Sequence, residues 1–191
     1  MIADHHDVSP TASAGGRIAR DTVELAATGS HDAWDRIFRT VYPRLYAFAS
    51  GRVGFGSADD VVSETMVRAV AGIARYRWTD AGIEAWLFGI ARHVVADHHR
   101  ATWRRRRWSQ RLGESAAVGG PAELLETKDE HRQIRELFAQ LPAKDREVLE
   151  LRLIAGLSPE QVAVALGKRP GTVRTAQSRA LRRLREGLER R

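Results

Sequence analysis

The spacing of apolar residues beyond Ile18 is the feature that most restricts how this chain can fold. Apolar side chains recur at three- and four-residue steps, for example at Trp34, Ile37 and Val41. We find no convincing run that alternates apolar and polar residues in the manner of a half-buried strand. A helical period sustained over most of the chain predicts an all-α protein, since each stripe can be buried only against another helix.

Four segments divide the 191 residues. Residues 1–16 lack periodicity and are predicted to form a mobile tail. Residues 17–111 form a first helical module, and 129–191 form a second that contains a helix-turn-helix. Between them, residues 112–128 begin with small, nearly uncharged side chains, a composition typical of a flexible linker.

Glycine and proline mark the predicted helix ends in the first module. Pro43 must either kink or restart the helix that contains it, because proline has no amide hydrogen to donate. The stretch 51–56 predicts the next break, after which Ser57 caps a new helix. Asp59 and Asp60 then lie in its first turn, where carboxylates favour the positive end of the helix dipole.

The positive charge is concentrated in two stretches. The net charge is +7, yet residues 100–111 carry six arginines and no acid, and residues 166–191 carry nine Lys or Arg against two Glu. The rest of the chain is therefore acidic, with a net charge of −6. Two basic surfaces on an acidic body indicate contact with a polyanion, the alternative being a pair of solvated basic helix ends.

The second basic stretch has the pattern of a helix-turn-helix. Ser158, Pro159 and Gln161 form a capping-box signature, and Gly167 is suited to close that short helix in a left-handed conformation. The helix that follows Pro170 predicts a DNA-recognition helix, or alternatively an ordinary hairpin with a basic face. Its outward face contains Thr172, Arg174, Thr175, Gln177, Ser178, Arg179, Arg182 and Arg183.

The first basic stretch ends a long predicted helix that begins at Ile83, after a loop over 75–82. Arginines there alternate with Trp103 and Trp108, a combination suited to phosphates and unpaired bases. The alternative is that both tryptophans pack beneath the module, because large aromatic residues are most often core residues.

Several functional classes are excluded or disfavoured. The chain has no cysteine, so disulfides and thiolate chemistry are excluded. His93 and Asp97 lie one helical turn apart without further ligands at a metal-binding spacing, and no catalytic constellation is apparent. We expect a non-enzymatic protein without a cofactor. It has no apolar run long enough for membrane insertion and no export signal, which predicts a cytoplasmic location.

Four further stretches follow one another along the chain at characteristic spacing. They are Tyr42-Pro43-Arg44-Leu45-Tyr46, Ser57 to Thr65, Trp86 to Arg92 with Asp97 and Arg100, and Leu141-Pro142 to Gly171-Thr172-Val173. Together they resemble the extracytoplasmic-function (ECF) class of bacterial sigma factors, the smallest members of the sigma-70 family. The likeness covers residues 20–108 and 129–187, and the order and spacing of the four stretches are more specific than any single stretch.

The resemblance implies an RNA polymerase sigma factor that binds core polymerase, the duplex −35 promoter element and the melted −10 non-template strand. It also implies an anti-sigma factor as a partner. The outward face of the recognition helix would contact the −35 element. The implied polymerase contacts are Asp59, Asp60, Ser63, Glu64 and Arg68. The implied −10 contacts, including a loop that holds a flipped base, are Arg75, Tyr76, Trp78, Trp86, Arg92, His93, Asp97, Arg100 and Arg104.

Three positions depart from the family pattern. Ser63 stands where glutamine is usual, Arg169 where a capping serine is frequent, and Ala176 where an arginine is frequent. Two competing hypotheses are a dimeric helix-turn-helix regulator that acts without replacing the sigma subunit, and a helical adaptor for proteins or RNA.

Overall fold

The computed structural model describes residues 17–111 and 136–190. Within those ranges every regular element is helical, which confirms the predicted all-α class with two helical modules. The predicted tail and linker lie outside the described residues. The elements are α1 (Arg20–Ala27), α2 (His31–Val53), α3 (Phe55–Gly72), a 3-10 turn (Ile73–Arg75), α4 (Gly82–Arg111), α5 (Ala143–Leu149), a π-helical turn (Glu150–Ile154), α6 (Pro159–Leu166) and α7 (Pro170–Glu189).

The boundary between α2 and α3 differs from the prediction. Helix α2 continues through Pro43 without restarting and ends only at Val53. Gly54, at a φ of 82°, makes the whole break, and α3 begins directly after it at Phe55. Ser57 therefore lies inside the helix and does not cap it. The prediction failed because a single glycine with positive φ can reverse the chain more tightly than the two glycines at 51 and 56 suggested.

The boundaries of the helix-turn-helix agree with the prediction. The Ser158 hydroxyl accepts the amide of Gln161, and the Gln161 side chain accepts the amide of Ser158 at 2.9 Å. Gly167 closes α6 in the left-handed region at a φ of 61°. Helix α7 then begins at Pro170, whose missing amide hydrogen costs nothing at that position.

The two modules share one hydrophobic core. Phe48 of α2 meets Phe88 of α4 edge to face, with ring centroids 5.6 Å apart. The same cluster continues into the second module through Leu157 and Val162, both fully buried. Helix α6 packs against α4, so the face of α4 that the first module leaves uncovered is buried by the second. Burial of this kind is the main favourable term in folding.

Polar contacts surround this shared core. The Arg44 guanidinium donates to the carbonyl of Ala155 at 2.7 Å, and the Gln161 side chain donates to the carbonyl of Ala81 at 2.9 Å. Arg52 donates to the Glu150 carboxylate at 2.7 Å. Each of these bonds joins one module to the other, so the modules form one packed body in this structure.

Candidate nucleic-acid and protein interfaces

One exposed face of α3 carries most of the predicted polymerase contacts. Asp59, Asp60, Ser63 and Glu64 are all exposed, and none is buried by a neighbouring helix. The Tyr42 hydroxyl donates to Asp59 at 2.8 Å, which raises the pKa of that tyrosine. The face thus presents three carboxylates to solvent, an arrangement suited to a basic partner surface.

Arg68 behaves differently from the rest of that set. Its guanidinium donates to Glu64 at 2.7 Å on its own helix and to Asp97 of α4 at 2.9 Å. Asp97 also accepts from Arg100, and the two arginines, Arg68 first, lower the pKa of this carboxyl. This chain of ion pairs lines a groove of about 400 Å³ between α3 and α4. It therefore connects the predicted polymerase contacts to the predicted −10 contacts.

Residues 76–81 form the predicted aromatic loop before α4. The Tyr76 ring lies against Trp86 with centroids 5.1 Å apart, and Trp78 is half-buried beside the core. The Tyr76 hydroxyl is buried, and this burial raises its pKa. Arg75, by contrast, is exposed at the end of the 3-10 turn.

Gly82 is required where this loop enters α4. Its φ is 71°, and a Cβ atom there would lie 2.7 Å from a carboxylate oxygen of Glu84. Glu84 is buried and accepts the amide of Ile18 at 3.1 Å, which fixes the start of α4 to the start of the described chain. Sequence reasoning did not find this buried carboxylate, because its partner is 66 residues away.

Arg92 contacts the second module in this structure. Its guanidinium donates to Glu147 of α5 at 3.2 Å and is only 27% exposed. The neighbouring His93 is exposed and lies 3.3 Å from the Arg92 guanidinium. A side chain predicted to contact −10 DNA is therefore paired with an acid of the module predicted to bind the −35 element.

The tryptophans at the end of α4 do not pack beneath the module. Trp103 is 58% exposed and Trp108 is 65% exposed, which overturns the core-packing alternative. Arg104 is exposed beside them, and the Arg107 guanidinium lies over the Trp103 ring at 4.6 Å.

The predicted −35 residues of α7 divide into two groups. Thr172, Thr175 and Ser178 are exposed, as are Arg174 and Arg182, which pair with Glu160 and Glu186. The second group is paired with other side chains of the module: Gln177 accepts from Arg152 at 2.9 Å, and Arg179 and Arg183, each still 42% exposed, both pair with the buried Asp145.

Asp145 is a buried charged residue beside the predicted −35 contacts that sequence reasoning missed. Its carboxylate is 1% exposed, and it accepts from Arg179 Nε at 3.0 Å. This hydrogen bond lowers the pKa of Asp145 despite its burial. The two arginines thereby attach α7 to α5 and set the orientation of the recognition helix. Asp145 lies three residues after Pro142, but nothing local identifies α7 as its partner.

Comparison with known proteins identifies both modules. Sigma-70 region 2 matches residues 37–105, and Sigma-70, region 4 matches residues 131–184. The ECF RNA polymerase sigma factor SigD of Mycobacterium tuberculosis is 37% identical over 189 residues, covering 95% of this chain and 89% of SigD. ShbA of Streptomyces griseus, also an ECF sigma factor, is 32% identical and covers 89% of this chain and 93% of its own length.

Two solved structures are similar in fold. CnrH in complex with the cytosolic domain of CnrY superimposes with a TM-score of 0.68 and 22% identity, covering 90% of this chain and 97% of the matched chain. The sigma factor RpoE in complex with the anti-sigma factor NepR from Bartonella quintana gives a TM-score of 0.59 and 27% identity, covering 81% and 96%.

The chain belongs to the ECF sigma factors of the sigma-70 family. It is an RNA polymerase sigma factor, a subunit that binds core polymerase and promoter DNA to initiate transcription. The match of both modules to sigma regions decides against the dimeric regulator and the adaptor. Within the described ranges, no helix is both long and apolar enough to cross a membrane.

Proposed function

We propose that the surfaces described above divide the work of promoter recognition. The acidic face of α3 (Asp59, Asp60, Ser63 and Glu64, with Arg68 at its edge) binds core polymerase. The loop over 76–81 and the exposed face of α4 hold the melted −10 strand. The exposed face of α7 contacts the −35 duplex. The protein works in the cytoplasm and catalyses no reaction itself.

The −10 assignment comprises a loop part and a helix part. Arg75, Tyr76, Trp78 and Trp86 surround the loop, where a flipped base would gain stacking that offsets the few kcal/mol lost on leaving the duplex. The helix part continues along α4 through Arg92, His93, Asp97, Arg100 and Arg104.

The observation that supports this division best is the Arg68–Asp97 ion pair. At 2.9 Å this pair joins the acidic face of α3 to the face of α4 that we propose to hold the −10 strand. A polymerase surface bound to the first would therefore hold the second close to the strand that the polymerase opens.

Promoter binding requires the two modules to separate. Elements named −10 and −35 are centred about 25 base pairs apart, which is about 85 Å along a straight duplex. Modules packed around one hydrophobic core, which includes Phe88, Leu157 and Val162, cannot cover both elements. Residues 112–128 then act as the linker between segments 17–111 and 129–191, and linkage of two sites raises their joint affinity.

We call the arrangement in which the two modules pack together the closed form. We expect an anti-sigma factor to bind it. RpoE of Bartonella quintana is solved with the anti-sigma factor NepR, and its chain matches both modules of this protein together. Such a partner would bind the packed body before the modules separate.

The test uses the full chain, core polymerase and two matched acid-to-amide variants. Glu64→Gln removes an exposed carboxylate of the α3 face that pairs with Arg68 four residues away. Glu24→Gln removes an exposed carboxylate of α1 that pairs with Arg20 in the same spacing. We expect Glu64→Gln to weaken co-elution with core polymerase by about three- to tenfold and Glu24→Gln to leave it unchanged.

Run-off transcription on a promoter library then checks the outcome. The wild-type chain should confer start-site selection on core polymerase, and Glu64→Gln should lower it in proportion to the lost binding. Equal behaviour of the two variants would remove the α3 face from the polymerase interface.

A further inference from the structure

A short stretch of chain ahead of α1 is bonded to the loop that precedes α4. The Arg17 guanidinium donates to the carbonyl of Asp80, and the Ile18 amide donates to the Glu84 carboxylate at 3.1 Å. The Ile18 side chain is 6% exposed and belongs to the main hydrophobic core. We call Arg17 and Ile18 the N-terminal strap. The strap lies outside the Sigma-70 region 2 match, which begins at residue 37, and the functional assignment above does not use it.

The strap is bonded to a tight turn and to the residue that follows it. The Gly82 amide donates to the carbonyl of Thr79 at 2.9 Å, and this hydrogen bond closes the turn over 79–82. One hydrogen bond of ordinary strength favours a closed turn over an open one by only about two- to tenfold. Contacts from outside the turn therefore decide how much of the time it is formed.

Glu84 connects the strap to the aromatic part of the loop. This side chain is 2% exposed and lies in the first turn of α4, two residues after Gly82. Burial first, and then the charge of Glu84, raise the pKa of Tyr76, which places the carboxylate near that ring. A buried carboxylate needs a hydrogen-bond donor, and the Ile18 amide supplies one. The strap thus acts on both ends of the turn, at Asp80 and at Glu84.

The second module holds a neighbouring carbonyl of the same turn. The Gln161 side chain donates to the carbonyl of Ala81 at 2.9 Å, one residue after the carbonyl that Arg17 contacts. This bond requires the closed form, because Gln161 belongs to the other module. Under the proposed function, promoter binding separates the modules and removes it. The strap belongs to the first module, so its contacts remain.

We propose that the N-terminal strap positions the −10 loop for base capture. Arg17 and Ile18 keep the turn over 79–82 formed once the second module has left, and so hold Tyr76 and Trp78 in place for the flipped base. This inference rests on the proposed function, because it assigns the loop to the −10 strand. Both strap residues are positioning residues, and neither contacts the base.

The first measurement follows the turn in the full chain. Hydrogen exchange, measured by mass spectrometry on a peptide that spans 76–86, reports opening because the Gly82 amide is protected while it is bonded to Thr79. The variant is Arg17→Ala. Its matched control is Arg20→Ala, which removes an exposed arginine three residues later whose partner Glu24 lies on its own helix. We expect Arg17→Ala to speed exchange about two- to tenfold and Arg20→Ala to leave it unchanged.

The second measurement follows base discrimination in the complex with core polymerase. It compares run-off transcription from a promoter selected from the library with transcription from derivatives that each change one −10 base. A variant that merely destabilised the protein would lower both rates and leave their ratio unchanged. We expect Arg17→Ala to reduce this ratio about two- to tenfold and Arg20→Ala to preserve it. Tyr76→Ala, which removes an aromatic ring of the loop, should reduce the ratio at the same −10 position.

Three outcomes would overturn the inference. Exchange could be unchanged in Arg17→Ala, Arg20→Ala could change either measurement as much as Arg17→Ala does, or Arg17→Ala could keep full discrimination at a position where Tyr76→Ala loses it. Failure of the proposed function gives a different result. Full discrimination by Tyr76→Ala at every −10 position would remove the loop from the −10 contacts, whatever the exchange shows.

Discussion

The two arginine-rich helices of this protein use the same residue in opposite ways. In α7, Arg179 and Arg183 pair with the buried Asp145, and Arg174 pairs with Glu160. At the end of α4, Arg107 has no acidic partner in the described part of the chain and lies instead over Trp103.

The difference shows that an arginine's role depends on the acids that the fold places opposite it. A guanidinium that neutralises a buried carboxylate stabilises the packing of two helices and has less freedom to bind DNA. A guanidinium in an acid-free segment retains its hydrogen-bonding capacity for phosphate. We therefore expect the end of α4 to be the better phosphate surface, and α7 to depend more on Thr172, Thr175 and Ser178 for base contact.

Among the substitutions considered, removal of the Asp145 carboxylate should have the largest effect on stability. Asp145→Asn leaves two arginines without their buried counter-charge and should lower the free energy of unfolding by about 2 kcal/mol at neutral pH. Urea denaturation followed by circular dichroism measures this. Glu160→Gln, which removes an exposed partner of Arg174, should leave the midpoint unchanged.

The same substitution has a predicted pH dependence. Because the folded-state pKa of Asp145 is lowered, its contribution is present above the ordinary carboxyl pKa and is lost as the pH falls through the lowered value. The stability difference between wild type and Asp145→Asn should thus be constant near neutrality and shrink below about pH 4. A difference that grew on acidification would contradict the assignment.

Arginine substitutions in the two helices sharpen the comparison. Arg179→Gln should lower the thermal midpoint about half as much as Asp145→Asn lowers it, since Arg183 still pairs with the Asp145 carboxylate. Arg107→Gln should leave the thermal midpoint unchanged while weakening the salt-dependent binding of the chain to DNA phosphates. Equal thermal losses in the two variants would mean that the arginines of α4 are also structural.

A smaller effect, on DNA binding, is expected at Arg92, because its acidic partner Glu147 belongs to the other module. Glu147→Gln removes the acid that Arg92 contacts at 3.2 Å. We expect single-stranded DNA binding by the free chain to rise about two- to threefold, as Arg92 becomes available and the closed form weakens. Fluorescence anisotropy with an oligothymidylate measures the change, and lower affinity would argue against occlusion of Arg92.

The local features of the fold were predictable from sequence. The capping box at Ser158 and the left-handed Gly167 involve residues within a few positions of each other, and both are confirmed. The prediction that Ser57 caps α3 was wrong, since the chain turns at Gly54 and the helix begins directly after it. Apolar periodicity predicts which segments are helical and in what order. The first residue of a helix is harder to predict, because several neighbouring residues, here Gly54 and Ser57, are each able to begin it.

The long-range features were not predictable. The sequence shows that α4 and α6 each have an apolar face, but it does not show that they bury those faces against each other. Asp145 and Arg179 are 34 residues apart, and a basic recognition helix looks the same whether its arginines face DNA or a carboxylate. The exposure of Trp103 and Trp108 likewise required the structure, because their spacing fits a buried stripe equally well.

The absence of cysteine allows the most direct test of the central claim, that the first module contacts the opened strand at the −10 element while α7 contacts duplex DNA. Arg75→Cys and Ser178→Cys each introduce one thiol on an exposed residue, which can carry a photoreactive crosslinker in a complex of the full chain, core polymerase and promoter DNA. The account predicts that the probe at position 75 crosslinks to the melted strand at the −10 element and that the probe at position 178 crosslinks to the −35 duplex. Crosslinking of the position 75 probe to duplex DNA or to polymerase alone would contradict it.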